Sequence, residues 1–476
     1  MSINNSNGVT ADTGLVQSGS DFGSVKTEEI ALIVRQSQGT DNLNSYNIYS
    51  LQEETGGGPL FNLSKAQVTT VPQILLDEFL NEEVPEYLRS GPSRHVHVVV
   101  STGSGTGLAL KFYNSVLRPL LNDLGIHALD SSADLVEQSK SNNYNLVITQ
   151  HANSVCDFAE SLEGSSEDAI QHTILLLGGD GGVVDLLNAR ASVKKPATEF
   201  NLPLVAILPL GTGNAHFHSR HRLASRVTTS IAPSSLVQSL RTLFRGKPAP
   251  LPSFKAEFPP GSRIITVESS DKGLESHDNA ISHLYGGIVA SYGFHSQLVW
   301  ESDTPEYRKF GAERFKMVGQ QLLKESHAYN AVVELSSGDE SQLRKLERDQ
   351  HAYILVAMLS NMEKTFTISP ASKPLDSELR LVHFGVVSGQ KTMEIMMQAY
   401  NEGKHIGMKW TNDDGKEEGV GYDEARVVKI TTLEEDPRWR KVCIDGTIVE
   451  LPQGGSMIVK TEKNLHLRIL VDRFVV

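Results

Sequence analysis

The sequence predicts an α/β protein: a doubly wound parallel sheet in the N-terminal half, followed by a β-rich, sandwich-like second domain. Up to about residue 245, short aliphatic or β-branched runs alternate with segments of helical periodicity, as in parallel sheets. Beyond that point strand-like runs dominate and helical segments become sparse. Because these two sequence patterns follow one another along the chain, we expect two different folding units.

The strand–loop–helix unit is clearest from residue 95 onward. Residues 95–100 form a β-branched run that predicts a strand. After a loop at 101–107, apolar residues recur at helical spacing from position 109 to position 124, and Gly125 is a natural end for that helix. Further strands of the same kind are predicted at 145–149, 173–177 and 204–208.

We expect four segments along the 476-residue chain. Residues 1–25 are rich in Ser, Asn and Gly and predict a disordered tail. Residues 26–90 carry short apolar runs and predict a small strand-bearing extension. Residues 91–245 are expected to form the α/β domain, and residues 246–476 the β-rich second domain.

Composition excludes several classes of protein. The formal net charge of −13 argues against a nucleic-acid-binding protein. The two cysteines, Cys156 and Cys443, are too few for a disulfide framework and fit free thiols in a reducing compartment. No apolar run approaches the roughly 18–20 residues that span a bilayer, and the N-terminus lacks the features of a secretory signal. We therefore expect a cytoplasmic protein.

Three glycine-rich loops each follow the carboxyl end of a predicted parallel strand, so we expect them to lie at the same edge of the sheet. In such sheets ligands bind beyond this edge. The first is Ser101-Thr-Gly-Ser-Gly-Thr-Gly107. Its glycines let backbone N–H groups approach a phosphate, and the helix that follows adds its dipole. The loop lacks the Lys-Ser/Thr pair of a Walker A motif and the glycine spacing of a dinucleotide fingerprint. A turn that needs positive φ is the alternative explanation.

The second and third loops add side chains that can take part in chemistry. Gly178-Gly-Asp-Gly-Gly182 places one carboxylate, that of Asp180, among four glycines. Such an aspartate can hold Mg²⁺ or accept a proton from a nucleophile, and capping the following helix is the alternative. Pro209-Leu-Gly-Thr-Gly-Asn214 offers Thr212 and Asn214 as donors to phosphate or sugar oxygens, with a turn and N-cap as the alternative.

These loops, in this order and at this spacing, resemble the catalytic region of the diacylglycerol, sphingosine and ceramide kinases, which are distantly related to NAD kinases. Further similarity lies at 292–302, 307–315, 368–376, 403–405 and 443–446, so it extends from about residue 95 to the C-terminus. The resemblance implies a lipid kinase that uses ATP and Mg²⁺ in a cleft between two domains and makes transient peripheral contact with membranes. A soluble NAD-kinase-like enzyme and a catalytically inactive homologue that binds nucleotide or lipid stay as alternatives.

The resemblance also implies roles for individual residues. Asp180 would be the general base for the lipid hydroxyl and, with Asp445, a metal ligand; an Asp-Gly hairpin turn is the alternative for Asp445. Arg308 and Arg314 match arginines that contact nucleotide phosphates, and a solvated helix face is their alternative. The implied nucleotide site comprises Ser101, Gly103, Ser104, Gly105, Thr106, Gly107, Gly178, Gly179, Gly181, Gly182, Gly211, Thr212, Gly213, Asn214, Arg308, Arg314 and Asp445.

Several positions depart from the family pattern. The first loop opens with Ser-Thr at 101–102 where the family has Asn-Pro, and Gly182 stands where a threonine is usual. Gln297 occupies the position of an aspartate that binds the lipid headgroup in sphingosine and ceramide kinases. Glutamine can hydrogen-bond a hydroxyl or amide but cannot pair with an ammonium. We assign Gln297, with Glu301 and His295, to the lipid substrate.

A cluster of histidines and arginines follows the third loop. We expect it to form an exposed loop, with contact to anionic lipid headgroups as the alternative. Metal binding is not expected there, because acidic or thiolate ligands at a fitting spacing are missing from the sequence around it. The cluster consists of His216, His218, Arg220, His221, Arg222 and Arg226.

Overall fold

The computed structural model describes most of the chain. The described residues are 25–36, 45–54, 60–129, 142–162, 170–191, 202–221, 232–266, 279–311, 313–412 and 415–476. The predicted tail, apart from Val25, lies outside these ranges, as do Arg222 and Arg226.

The first described segment forms a small sheet of four strands in the order β3-β2-β1-β4. Its elements are β1 (Ile30–Arg35), β2 (Tyr46–Glu53), β3 (Phe61–Val68), helix α1 (Gln73–Phe79) and β4 (Leu80–Asn81). One face packs on α1, while the other faces the rest of the molecule, where Phe61 meets Phe112 edge-to-face with ring centroids 5.2 Å apart. This packing fixes the N-terminal sheet to the α/β domain.

A seven-stranded sheet forms the centre of the α/β domain. Its strands are β5 (Arg94–Val100), β6 (His127–Ala128), β7 (Asn143–Ile148), β8 (Gln171–Gly178), β9 (Leu204–Pro209), β10 (Lys247–Pro250) and the last strand of the chain, β28 (Arg468–Val471). The order is β10-β28-β9-β8-β5-β7-β6, and all neighbours are parallel except β10 and β28.

Helices cover both faces of this sheet. They are α2 (Ala109–Phe112, continuing through a π turn at Tyr113–Leu117 to Arg118–Asp123), α3 (Ser154–Ser161), α4 (Asp180–Ala191), α5 (Ala215–His221) and α6 (Ser235–Arg245). Val98 and Val100 point to the core under α2 and α6, and Val99 between them points to the core under α3 and α4. This alternation along buried parallel strands is what a doubly wound sheet requires, so the predicted fold of this half is confirmed.

The second half is built from antiparallel strands with few helices. The strands are β11 (Phe254–Glu257), β12 (Arg263–Ile264), β13 (Asn279–Ala280), β14 (His283–Gly286), β15 (Val289–Gly293), β16 (Tyr329–Ser336), β17 (Arg344–Lys345), β18 (Gln350–His351), β19 (Tyr353–Ala357), β20 (Leu379–Phe384), β21 (Lys409–Thr411), β22 (Glu417–Gly419), β23 (Gly421–Ala425), β24 (Val427–Thr432), β25 (Lys441–Ile444), β26 (Thr447–Glu450) and β27 (Ser456–Thr461). The helices are α7 (Phe294–Ser302), α8 (Pro305–Arg308), α9 (Glu313–Glu325) and α10 (Gly389–Ala399). Short 3₁₀ turns lie at Thr27–Glu29, Glu86–Leu88, Glu340–Gln342 and Pro437–Trp439.

These strands form two large sheets that pack face to face. One has the order β14-β11-β27-β24-β16-β17, with β18 also paired to β16, and the other β13-β12-β26-β25-β15-β19-β20-β23; β21 and β22 pair separately. Tyr292 and Ile354 of one sheet share a core with Ile430 and Val459 of the other. The predicted β-rich, sandwich-like second domain is therefore confirmed.

Two features differ from the simplest expectation. The segment 307–315, which carries part of the family similarity, is divided between two helices, α8 and α9, with a turn at Gly311 (φ 57°) between them. Strands β10 and β28 lie beyond residue 246 yet pair in the first sheet, so the chain returns to the α/β domain at its end. Within the described ranges, no helix is long and apolar enough to cross a membrane.

The return of β28 gives a stability prediction. Ile469 is 1% exposed and packs in the core under α3 and α4, so Ile469→Ala should lower the free energy of unfolding by about 2–5 kcal/mol. Ile74→Ala is the control, because Ile74 is 65% exposed and should change the free energy by less than about 0.5 kcal/mol. Denaturant unfolding followed by circular dichroism measures both. Equal, small effects would show that β28 is not part of the central sheet.

Candidate active site

The three glycine-rich loops meet at the carboxyl end of the central sheet, where β5, β8 and β9 end. A Cβ built on Gly105 would lie 2.0 Å from Thr212 Oγ1, so the first and third loops touch. A Cβ built on Gly211 would lie 2.3 Å from Gly179 Cα, so the second and third loops touch as well. The first and second loops are also in contact, since a Cβ built on Gly178 would lie 3.0 Å from Ser101 Cβ. The expected convergence of the loops is thus present.

The glycines of these loops fall into two groups. Gly105, Gly178, Gly179, Gly211, Gly213 and Gly182 are each packed so tightly that an added Cβ would come within about 3 Å of a neighbour. By contrast, Gly103, Gly107 and Gly181 have open space where a side chain would be, and Gly107 also has φ +65°. The packed glycines hold the loops together, and the open ones leave backbone accessible to a bound molecule.

The departure at Gly182 has a packing reason. A Cβ there would lie 3.0 Å from both terminal methyl carbons of Leu176, in the strand below. A threonine at 182 would add a methyl and a hydroxyl to that contact. A side chain at 182 would require Leu176 to shift by a few tenths of an ångström, so glycine fits the present packing.

Hydrogen bonds close the third loop on itself and on the first. Asn214 adopts φ 56°; its Oδ1 accepts from Gly211 N at 3.0 Å and its Nδ2 donates to Gly211 O at 2.9 Å. The hydroxyls of Ser104 and Thr106 both donate to Leu210 O, the former at 2.9 Å. These predicted ligand-binding side chains are thus engaged within the loops, whereas Thr212 is exposed.

Asp180 begins α4, but its carboxylate bonds to a different helix. Oδ2 accepts from Ala215 N at 2.7 Å and Oδ1 from His216 N at 3.0 Å, so the side chain caps the N-terminus of α5. Burial raises the pKa of this carboxyl, while the N–H donors and the Arg220 guanidinium act to lower that pKa. Asp180 thus caps a helix, but this helix is α5 and not α4, the following helix that the alternative named.

Asp445 reaches the same region from the second domain. It forms the two-residue turn of the β25–β26 hairpin with Gly446, so the turn alternative is also correct. Its carboxylate accepts N–H groups from Gly287 at 2.6 Å, Ile288 at 3.1 Å and Val289 at 2.6 Å. Burial raises its pKa to about 7, and the charge of Asp180 contributes to that rise. The two carboxylates therefore interact electrostatically.

A divalent cation fits the chemistry of this pair. Mg²⁺ prefers carboxylate oxygens, and two neighbouring carboxyls with raised pKa values are stabilised in their charged form by a nearby cation. The residues that bind the two carboxylates are themselves in contact. Gly287 donates to Asp445 and His216 donates to Asp180, and a Cβ built on Gly287 would lie 2.9 Å from His216 Cε1. Asp180 and Asp445 are accordingly the residues that would hold a metal ion here.

The two predicted phosphate-binding arginines lie together on the second domain. Arg308 donates to both Asp303 oxygens, at 3.1 and 2.7 Å, and Arg314 Nη2 lies 3.6 Å from Asp303 Oδ1. Arg314 also stacks over Phe315 and keeps a buried Nε with no partner among the described residues. No hydrogen bond or ion pair between described residues joins either arginine to the glycine loops.

The three predicted substrate residues all lie on α7. Gln297, which is buried, donates to Glu301 Oε1 at 2.8 Å, and Glu301 also accepts from Arg438 at 3.0 Å. His295 Nδ1 lies 2.7 Å from Ser291 Oγ, and burial lowers the pKa of this histidine to about 4, so it is neutral at pH 7. The structure brings Gln297 and Glu301 into one network and places His295 beside β15.

The expectation of an exposed loop is wrong for the four cluster residues that the structure describes, His216, His218, Arg220 and His221. Residues 215–221 form helix α5, and His216 and Arg220 are each 1% exposed. Arg220 Nη1 bonds to His216 Nδ1 at 2.9 Å and to His216 O at 3.1 Å. His216 and Arg220 are buried because Asp180 caps α5 and the second domain packs over that helix, where Ser219 Oγ donates to Asn361 O at 3.1 Å. Sequence reasoning missed Arg220 as a neighbour of Asp180.

Comparisons with known proteins agree with this arrangement. The family model described as "Diacylglycerol kinase catalytic domain" matches residues 95–228, the segment that carries all three loops. A search of the curated proteins finds no significant match.

Solved structures with similar folds have low sequence identity to the chain. A putative diacylglycerol kinase from Bacillus anthracis str. Sterne is 13% identical, with 80% of this chain and 98% of that chain covered and a TM-score of 0.48. The yeast NADH kinase in complex with NADH is 10% identical, with 89% of each chain covered and a TM-score of 0.34. The family match at 95–228, together with the loops found there, carries the assignment. Residues 95–228 therefore match the diacylglycerol kinase catalytic domain, and the loops found there are consistent with the diacylglycerol and sphingosine kinase family.

Proposed function

We propose that this protein transfers the γ-phosphoryl group of ATP to a hydroxyl of a lipid of the diacylglycerol or sphingoid type, with Asp180 as general base. The observation that carries the proposal is the meeting of three glycine-rich loops around Asp180 at the carboxyl edge of a parallel sheet. Phosphoryl transfer depends on positioning and charge stabilisation more than on covalent chemistry, and such an edge supplies both.

ATP would lie over the glycines that have open space. Gly103 and Gly107 precede α2, where backbone N–H groups and the helix N-terminus favour a phosphate. Gly181, in the first turn of α4, offers the same kind of approach from the second loop. Two helix N-termini, those of α2 and α4, thus point toward one space bounded by the loops.

Asp180 would act on the proton of the acceptor. As the lipid oxygen attacks the γ-phosphorus, the bond between that phosphorus and the β–γ bridging oxygen breaks, ADP leaves, and the hydroxyl proton goes to the Asp180 carboxylate. The N–H donors from Ala215 and His216 and the nearby Arg220 favour the charged form of Asp180 against the effect of burial. These groups oppose the rise in the pKa of Asp180 that burial causes.

Asp180 and Asp445 would hold Mg²⁺, which when bound neutralises charge on phosphate oxygens. The lipid headgroup would approach from the second domain, along α7. Gln297 there offers an uncharged amide beside Glu301, which suits a neutral hydroxyl or amide headgroup better than an ammonium. The enzyme would make transient peripheral contact with the membrane that contains its lipid.

The first test is transfer of label from [γ-³²P]ATP in Mg²⁺ to a panel of diacylglycerol, ceramide and sphingosine in mixed micelles, with NAD included. We expect label in a lipid, and Asp180→Asn should reduce its rate by about 10²–10⁴-fold because the base is lost. Asp157→Asn is the matched control, since Asp157 lies on α3 with 62% of its side chain exposed. It should leave the rate unchanged.

Other outcomes of this experiment decide against the proposal. Label found only on NAD would favour the NAD-kinase-like enzyme. ATP binding by equilibrium dialysis without transfer to any acceptor would favour an inactive homologue. Equal rates for Asp180→Asn and Asp157→Asn would remove Asp180 from the role of base.

A pair of glycine variants tests the two groups of loop glycines. Gly211→Ala should destabilise the protein by about 1–3 kcal/mol, because the new methyl would lie 2.3 Å from the backbone Cα of Gly179. Gly103→Ala meets open space, so it should leave the melting temperature unchanged and raise the KM for ATP. Calorimetry and steady-state kinetics on both variants measure the two effects. A normal KM for Gly103→Ala would place the phosphates elsewhere.

The arginine pair gives a further prediction. If Arg308 turns from Asp303 to a nucleotide phosphate, Arg308→Ala should raise the KM for ATP by about tenfold or more, since a charge-assisted hydrogen bond is lost. Lys309→Ala, at the exposed neighbouring position, is the control and should leave KM unchanged. Steady-state kinetics with varied ATP measures both. An unchanged KM for Arg308→Ala would exclude that arginine from the phosphate site.

A further inference from the structure

Three histidines meet at the amino end of the central sheet, opposite the glycine loops. His95 and His97 are two residues apart on β5 and so point to the same face, and His172 on β8 is in register with His95. On β5 the two histidines share a face with Val99, and on β8 His172 shares a face with Ile174; Val99 and Ile174 pack under α3 and α4. A core position is thus occupied by imidazoles instead of aliphatic side chains.

The ring nitrogens are close enough to share one ion. One ligand atom from each of the three residues lies within 4.8 Å of those of the other two. His97 Nε2 and His172 Nδ1 are 3.0 Å apart. Two nitrogens bound tetrahedrally at 2.0–2.1 Å from Zn²⁺ would be about 3.3 Å apart, so a small adjustment of two rings would accommodate the ion.

Burial leaves these imidazoles suited to bind a metal. His97 and His172 are 3% and 9% exposed, and burial lowers the pKa of His97 to about 3 and that of His172 to about 4. A neutral imidazole has one ring nitrogen with a free lone pair, and this nitrogen is the one that binds a metal ion. His97 Nδ1 is buried and has no hydrogen-bond partner among the described residues, so protein contacts do not satisfy this ring fully.

We propose that His95, His97 and His172 form a binding site for a first-row transition-metal dication, with Zn²⁺ as the best match. Three neutral imidazoles suit Zn²⁺, Co²⁺, Ni²⁺ or Cu²⁺ and are poor ligands for Mg²⁺, which prefers oxygen. His95 is exposed, so a water molecule can complete the coordination from solvent. Among the described residues this is the one cluster of three or more candidate ligand side chains at such distances.

The position of the site suggests what it does for the fold. It joins β5 to β8, the strands that lead into the first and second glycine loops. His97 precedes Ser101 by four residues, a distance of about 13 Å along a strand. A bound ion would fix the two strands relative to each other at the edge away from the loops, without reaching the space between them.

The experiment uses the full-length protein with any affinity tag removed and any bound metal stripped by chelation, in a buffer with Mg²⁺ in excess. Titration calorimetry with Zn²⁺ should show one saturable site per chain, and Co²⁺ should give the visible absorption of tetrahedral coordination. His95→Ala should weaken Zn²⁺ binding by about tenfold or more and abolish the Co²⁺ bands. Because His95 is exposed, this variant should fold normally, which circular dichroism verifies.

His127→Ala is the matched control, because His127 is an exposed histidine on β6 of the same sheet. It should bind Zn²⁺ like the unaltered protein. Zn²⁺ should also raise the melting temperature of the unaltered protein and of His127→Ala, but not that of His95→Ala. Absence of a saturable site, or equal Zn²⁺ affinity in the two variants, would overturn the proposal.

Discussion

The candidate site depends on the close contact between Gly179 and Gly211, two backbone segments that touch with no side chain between them. A Cβ on either residue would lie within about 3 Å of the other's Cα, so the second and third loops can lie side by side only as glycine. The N–H groups of Leu210 and Gly211 both donate to Gly178 O, which aligns the loops further. This contact places the second loop, which carries Asp180, beside the third loop, which leads into α5.

The two carboxylates extend this arrangement from loops to domains. Asp180 joins the second loop to α5 through the amides of Ala215 and His216. In the second domain, the Asp445 carboxylate joins the β25–β26 turn to the start of β15, because it accepts the N–H groups of Gly287, Ile288 and Val289. Both carboxyls are therefore structural caps as well as candidate functional groups. The hydrogen bonds to these carboxylates offset the free-energy cost of burying charge between the two domains.

Much of this could be predicted from sequence, because periodicity and glycine spacing are local signals. The parallel strands, the three loops and the β-rich second half were predicted from patterns of a few residues. The meeting of the three loops followed from the parallel topology, but the side-chain contacts between distant segments were not predicted. Arg220 looked like part of an exposed cluster because neither its capped helix nor the domain above it is visible in nearby residues. His172 lies 75 positions from His97, and only the register of β5 and β8 brings them together.

The two ends of the central sheet thus differ in chemistry although they share the same strands. At the carboxyl end, glycines and helix N-termini expose N–H donors, which favour anions. At the amino end of β5 and β8, neutral imidazoles expose lone pairs, which favour soft or borderline cations. The strand interiors between them, such as Val98 and Val99, are wholly buried and apolar, so the ends are connected mechanically and not through polar contacts. The pairing of β5 with β8 along the whole length of β5 sets the spacing of the first and second loops. Because the packed sheet is rigid, a change in strand spacing at the amino end would alter the spacing of the loops.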